Sequence, residues 1–331
     1  LQDVTALAIS PGRSADLFLG TWGAGVYRSA DGGSSWQAVN SGLTDMYVTV
    51  VAIDPITPTT VYAGTDHGVF KSTKGGADWA RAQSGLPPSR VHALVVDRET
   101  PLTLYAATFG AGENGVYKST DGGASWKPAN RGVNGVIVSA VAIGGEEATS
   151  LSAGTEDGIY RTNDGGDTWH LSLSGTGVNK LAVDPVTPPT RYAGTCMGVF
   201  KSTNDGRVWS RAGAELATVS VRALALDPST PTTIYAGTSF SGTFKSIDGG
   251  KHWNAVNNGL TDSDVHALAV DSASPETLYA GTLSGGVFKS TNGGGSWSQV
   301  RNGLPASRVD ALAIDPTTPT TLYAGTAGVY K

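Results

Sequence analysis

Four carboxylates, Glu113, Glu156, Asp157 and Asp310, stand where the sequence is least regular. Two carboxylates on opposite sides of a sugar linkage are what glycoside hydrolysis requires. Their order along the chain singles out no pair, so a hydrolytic reading starts from candidates and not from a dyad. Beside them, Trp22, Phe109 and Phe240 stand in turns with His67. Rings supply contact area and polar groups fix orientation, which is the chemistry of a glycan or peptide platform. A third set follows the Val that opens each repeat: Thr5, Thr49, His92, Ser139, Asn179, Arg222, His266 and Asp310. A ring of unlike polar groups suits an anion, a sugar, a peptide end or simply a solvated channel mouth.

These residues need elements to hold them, and the elements repeat. VTALAIS (Val4) returns as VTVVAID, VHALVVD, VSAVAIG, VNKLAVD, VRALALD, VHALAVD and VDALAID (Val309), at a period of about 43 residues, where four-stranded propeller blades are expected. The best-preserved unit reads VRALALD, IYAGT, TFKS and then a Trp253-bearing turn leading into NAV. Its short apolar runs, separated by turn residues, predict four strands, a to d, with no helical periodicity. The fold expected is all-β, a single β-propeller domain over residues 1–331. The eighth repeat stops at GVYK without strand d, so eight blades with an incomplete last one are expected, with a seven-bladed ring as the alternative. Either that blade is three-stranded or the chain continues. Its open GVYK edge would be a place for assembly with another chain.

Composition narrows the function. The 331 residues carry a net charge of −5 with both signs interspersed, and without a basic patch a nucleic-acid partner is not expected. No apolar stretch is long enough to span a bilayer. The single cysteine, Cys196, forms no internal disulfide or thiolate cluster. His92 and His266 lie four blades apart, so no metal and no cofactor is expected. A Thr-, Ser- and Gly-rich surface with few Lys or Glu fits an extracytoplasmic bacterial protein, whether secreted, periplasmic or on the cell surface.

Seven repeats carry a further box: SADGGSSW, STKGGADW, STDGGASW, TNDGGDTW, STNDGRVW, SIDGGKHW and STNGGGSW, from Ser29 to Trp297. An Asp in such a turn accepts backbone N–H bonds, a Gly supplies positive φ, and the Trp buries apolar surface between blades. Asp31, Asp121, Asp164, Asn204, Asp248 and Asn292 are therefore expected to be structural, while Lys74 cannot accept those bonds. The same holds for Asp54, Asp97, Asp184, Asp227, Asp271 and Asp315 at the ends of strand a. The box resembles the Asp-box of BNR-repeat propellers, found in sialidases, xyloglucanase-like hydrolases, sortilin-type receptors and photosystem II assembly factors. That resemblance covers the whole chain and implies that the box lies on c–d turns away from the binding face.

The resemblance does not carry a reaction with it. A sialidase implies an arginine triad, an Arg-Ile-Pro motif and a Tyr nucleophile, and PGRSAD around Arg13 is not that motif. The xyloglucanases pair two propellers around a cleft, and this chain has one. The a–b loops and boxes are near copies of one another, whereas the d–a and b–c loops vary and share the opposite face. The function expected is a non-catalytic binding or scaffold propeller presenting that variable face to a protein or glycan partner. The alternative is a glycoside hydrolase acting on a polysaccharide.

Overall fold

The computed structural model describes residues 4–110, 114–133, 135–144, 149–187, 189–300, 307–315, 318–325 and 328–330. Each repeat folds as an antiparallel meander of strands a to d, and no helix occurs among the described residues, so none is long and apolar enough to cross a membrane. Seven blades have four strands, and the last repeat forms a three-stranded sheet of Ala311–Ile314, Leu322–Gly325 and Val329–Tyr330. Seven four-stranded blades match the seven-bladed alternative, and the short sheet of the last repeat does not confirm the expected eighth blade. That sheet sits between the seventh blade and the first: the Val309 N–H donates to the Thr282 carbonyl at 3.0 Å, and the Tyr323 hydroxyl to the Gly32 carbonyl at 3.1 Å.

Close approach of neighbouring blades explains the repeated Ala-Gly-Thr of strand b. A Cβ on Gly237 would stand 2.6 Å from Val265 Cγ1 of the next blade, and one on Gly64 2.9 Å from Val91 Cγ1. A residue without a side chain lets the next strand a come that near, and the third blade departs from the pattern with Ala107. The Thr that follows ties the base of the b–c loop, as Thr238 Oγ1 donates to the Gly242 carbonyl at 2.7 Å. Loop variation is therefore mounted on a fixed base.

The box closes the other face. Ser119 Oγ accepts from the Gly123 N–H at 2.8 Å, Asp121 accepts from the Ser125 N–H at 2.8 Å, and Trp126 Nε1 donates to the Ala82 carbonyl of the preceding blade at 2.8 Å. In the copy bearing Lys74, Ser72 Oγ takes the turn N–H groups of Lys74 and Gly76, while the lysine pairs with Asp78 at 2.8 Å. Each joint thus spans two blades. The aspartates ending strand a behave likewise: Asp54 accepts from Ile56 and Thr57, and Asp97 from Glu99 and Thr100.

Two blades replace apolar contacts with charge. Where most blades place Tyr in strand b, the fourth has Ser152, and the buried Arg191 of the fifth fills that space. Its guanidinium donates to Ser152 Oγ, Ser150 Oγ, the Gly144 carbonyl and Asp205, which itself replaces a box glycine at φ +63°. Arg161 joins Asp205 at 3.2 Å. A buried cation is tolerated only when paired and hydrogen-bonded in this way.

Candidate functional site

Strand a begins with a bulge, and the bulge decides what the polar ring can do. In the sixth blade Val221 pairs with Thr238 and Ala223 with Gly237, so Arg222 is the extra residue. Such a residue leaves the ladder and re-aims its side chain. Four of the eight ring positions spend that freedom on the neighbouring blade. Thr5 donates to the Val48 carbonyl, Thr49 to Val91, Ser139 to Val178 and Asn179 to Val221, at 2.5 to 3.0 Å. They stitch blades together, which corrects the reading of the ring as one continuous polar mouth. His92, Arg222, His266 and Asp310 make other contacts.

Hydrogen bonds confirm that b–c loops and d–a segments share a face. Asp66 N–H donates to the Tyr47 carbonyl at 3.1 Å, Ser239 N–H to Ser220 at 2.9 Å, and Leu283 N–H to Asp264 at 2.9 Å. Trp22, Tyr47, Phe109, Met197, Phe240 and Leu283 are exposed apolar side chains on this face, while Ile56, Leu102, Val186, Val208 and Ile247 are exposed on the opposite a–b and c–d loops. Phe240 is 73% exposed and held at φ +64°, a conformation costing a non-glycine residue about 1–2 kcal/mol.

Over the first three blades the side chains interlock. The Trp22 and Tyr47 rings meet edge to face at 5.2 Å, and the Arg90 guanidinium lies 4.7 Å above the Trp22 ring centroid. Arg90 Nε stands 3.4 Å from Asp66 Oδ1, and the His92 ring meets Phe109 at 5.4 Å. Desolvation, and then the charge of Arg90, lower the His92 pKa against a smaller opposing pull from Asp66. Trp22 thus has a packing partner the sequence did not announce. Next to it, His67 Nδ1 and N–H both reach Asp45 Oδ2 at 3.0 Å. Burial pushes the Asp45 pKa up, but the Tyr47 N–H and His67 outweigh it and hold the carboxyl low.

A second constellation lies across the sixth to eighth repeats. The His266 side chain, 8% exposed, sits between two carboxylates, with Nε2 3.3 Å from Asp264 Oδ1 and Nδ1 3.1 Å from Asp310 Oδ1. Arg308 Nε bonds Asp310 at 2.7 Å, and Arg222 Nε bonds Ser239 Oγ at 2.5 Å and lies 3.7 Å from Asp264. Ser239 precedes Phe240, so the exposed ring and the channel mouth are one residue apart. Asp45, Tyr47, Asp66, Arg90, Asp262, Asp264 and Arg308 were not singled out from sequence. Their signal was present in the d–a segments and b–c loops, where GLTD recurs with Asp45 and Asp262 and SRV with Arg90 and Arg308, at positions overshadowed by the strand-a ring.

The remaining sequence candidates stay apart. Glu156 and Asp157 are exposed neighbours on one short turn, which does not set them across a cleft from each other. Glu113 lies outside the described residues. Asp45, Asp66 and Asp310 are engaged by cationic or imidazole partners, and Asp262 accepts the Ser284 and Gly285 N–H groups at 2.7 Å.

The family model described as sortilin, neurotensin receptor 3, matches residues 24–155. No curated protein sequence matches the chain. Among solved structures, Sqt1 of Saccharomyces cerevisiae superposes with a TM-score of 0.72 at 14% identity, over 98% of this chain and 94% of its own. YCF48 of Cyanidioschyzon merolae does so with a TM-score of 0.59 at 14% identity, over 84% and 92%. YCF48 has also been solved bound to D1 peptide, and that structure gives a TM-score of 0.60. The GH74 xyloglucanase from Xanthomonas campestris gives 0.53 at 18% identity, covering 98% of this chain. The chain spans 63% of the xyloglucanase's own length. At these identities the likeness is one of fold. It shows a β-propeller, and with the sortilin-type model matching residues 24–155 the exact family is open.

Proposed function

We propose that this propeller is a non-catalytic recognition module that presents its d–a and b–c face to a protein or glycan partner. The observation that carries the reading is Phe240, an apolar ring kept in solvent on a strained backbone. Strain and exposure together are retained where a contact uses them. Trp22, Tyr47 and Phe109 extend the apolar surface on the same face, with Arg90 and His67 for orientation. Neighbouring propellers support a protein partner, since YCF48 takes a peptide.

Glycoside hydrolysis is the second reading, favoured by the xyloglucanase neighbour. Against it, Asp45, Asp66, Asp262 and Asp310 are already committed to partners, and the adjacent Glu156 and Asp157 do not face each other. The sortilin-type match supports a working place outside the cytoplasm. The outer edge of Val329–Tyr330 is where a further strand would add, whether in assembly or within a longer chain. The test is a glycan array and a displayed-peptide library, each probed with the protein and with Trp22→Ala and Phe240→Ala. Retained ligands should be lost in both variants, and hydrolysis of any retained glycan would favour the second reading.

A further inference from the structure

One strand-a position breaks the repeat toward the channel. Two residues after the opening Val, the other blades carry Ala6, Val50, Ala93, Ala140, Ala223, Ala267 and Ala311, and the fifth carries Lys180. Lys180, Arg222, His266 and Asp310 line a cavity of about 200 Å³ whose remaining wall is Ala and Leu from the sixth to eighth repeats. A water occupies about 30 Å³ of liquid, so the cavity holds a small group and not a length of chain.

Its polar atoms are unfinished. His266 Nε2 and Asp264 Oδ1 are buried and neither makes a hydrogen bond, although they stand 3.3 Å apart. Arg222 spends Nε on Ser239, and among the described residues neither its terminal nitrogens nor Lys180 Nζ makes a hydrogen bond. The lining carries two cations, Lys180 and Arg222, and one carboxylate, Asp310, while Asp264 lies beside Arg222 and Arg308 pairs with Asp310, in a chain whose net charge is −5. The local excess is positive where the protein as a whole is negative. A guanidinium fork beside an ammonium matches a planar monoanion, and the two nearby carboxylates disfavour a more highly charged guest.

We propose that this channel cavity binds a carboxylate group, held by Arg222 and Lys180. The carboxylate belongs either to a peptide terminus or to an acidic sugar. The inference goes beyond the partner-binding reading, because the cavity is in the channel and its test uses small acids and no partner.

The test labels lysines by reductive ¹³C-methylation and follows the Lys180 resonance, assigned with Lys180→Met, during titration. The probes are N-acetylglycine and glucuronate, with N-acetylglycinamide and sodium chloride as controls. Lys180 should shift saturably with at least one acid and with neither control. N-Acetylglycine alone would identify a chain terminus, glucuronate alone an acidic sugar, and both a small carboxylate of either origin. Arg222→Gln should weaken the response about tenfold or more, with the other lysine signals unmoved to show an intact fold. A Lys180 signal that ignores both acids, that follows the amide or chloride equally, or that is indifferent to Arg222→Gln in an intact fold would overturn the proposal.

Discussion

Arg90 lies 4.7 Å over the ring of Trp22, although the two residues belong to blades separated by a whole repeat. The contact joins the b–c loop of the first blade to the start of strand a in the third, so this part of the variable face behaves as one surface. A cation over an indole is worth about 0.5–1 kcal/mol when exposed. Its larger effect is to fix where the guanidinium points.

His92 reports on that placement. Desolvation and the positive charge of Arg90 both hold its pKa below the ordinary value. Arg90→Gln removes the second cause, so the imidazole should titrate at higher pH, as read by proton NMR of its ring. An unmoved titration would show that Arg90 does not face His92.

Phe240 separates stability from recognition. Its φ of +64° suits glycine, so Phe240→Gly should leave stability unchanged or raise it by about 1 kcal/mol, by denaturant titration. Binding on the variable face should fall in the same variant. A clear loss of stability would show that the ring packs on the fold and is not held out for a partner.

The Arg191 network should behave as a set. Arg191→Leu alone leaves Asp205 buried with Arg161 and Ser150 as remaining partners, so the loss should reach at most the about 3–5 kcal/mol of a fully broken buried pair. Restoring the repeat with Ser152→Tyr, Arg191→Leu and Asp205→Gly together should recover stability to within about 1 kcal/mol of the parent, since apolar replacements of buried ion pairs are often neutral or better. Equal destabilisation of the single and triple variants would contradict this account of the interface.

The box carboxylates contribute to acid sensitivity, less than buried groups would because solvent screens them. Hydrogen bonds from the side chain and backbone of Ser35 hold Asp31 down to about 2, and Ser125 does the same for Asp121. A depressed folded pKa contributes stability that is present above the unfolded value, near 3.8, and is lost as pH falls toward 2. Melting temperature should therefore drop between those limits, and Asp121→Asn should make the drop shallower. A parallel decline in both proteins would remove Asp121 from the cause.

The repeat made the ring, the strand order and the structural role of the box legible, because each depends on residue types recurring at fixed offsets. The Gly of strand b recurs at a fixed offset, and at Gly64 and Gly237 it admits Val91 and Val265 of the next blade. The site was legible only in part. Thr5, Thr49, Ser139 and Asn179 shared a register position with His92, Arg222, His266 and Asp310, yet short hydroxyl and amide side chains reach the next backbone carbonyl. The larger His92, Arg222 and His266, and Asp310, whose carboxylate has no donor for a carbonyl, make other contacts, and the partners Asp264 and Arg308 come from d–a segments. Contacts between loops of different blades have no fixed spacing in sequence.

The central claim, recognition on the variable face, is tested most directly by comparing ligand capture from a displayed-peptide library and a glycan array by four proteins. These are the parent, Trp22→Ala, Phe240→Ala, and Ile56→Ser on the opposite, a–b face, where Ile56 is also exposed to solvent. The account predicts saturable ligands for the parent that persist in Ile56→Ser and are lost in the other two. Ligands lost in Ile56→Ser and kept in Trp22→Ala and Phe240→Ala would contradict it.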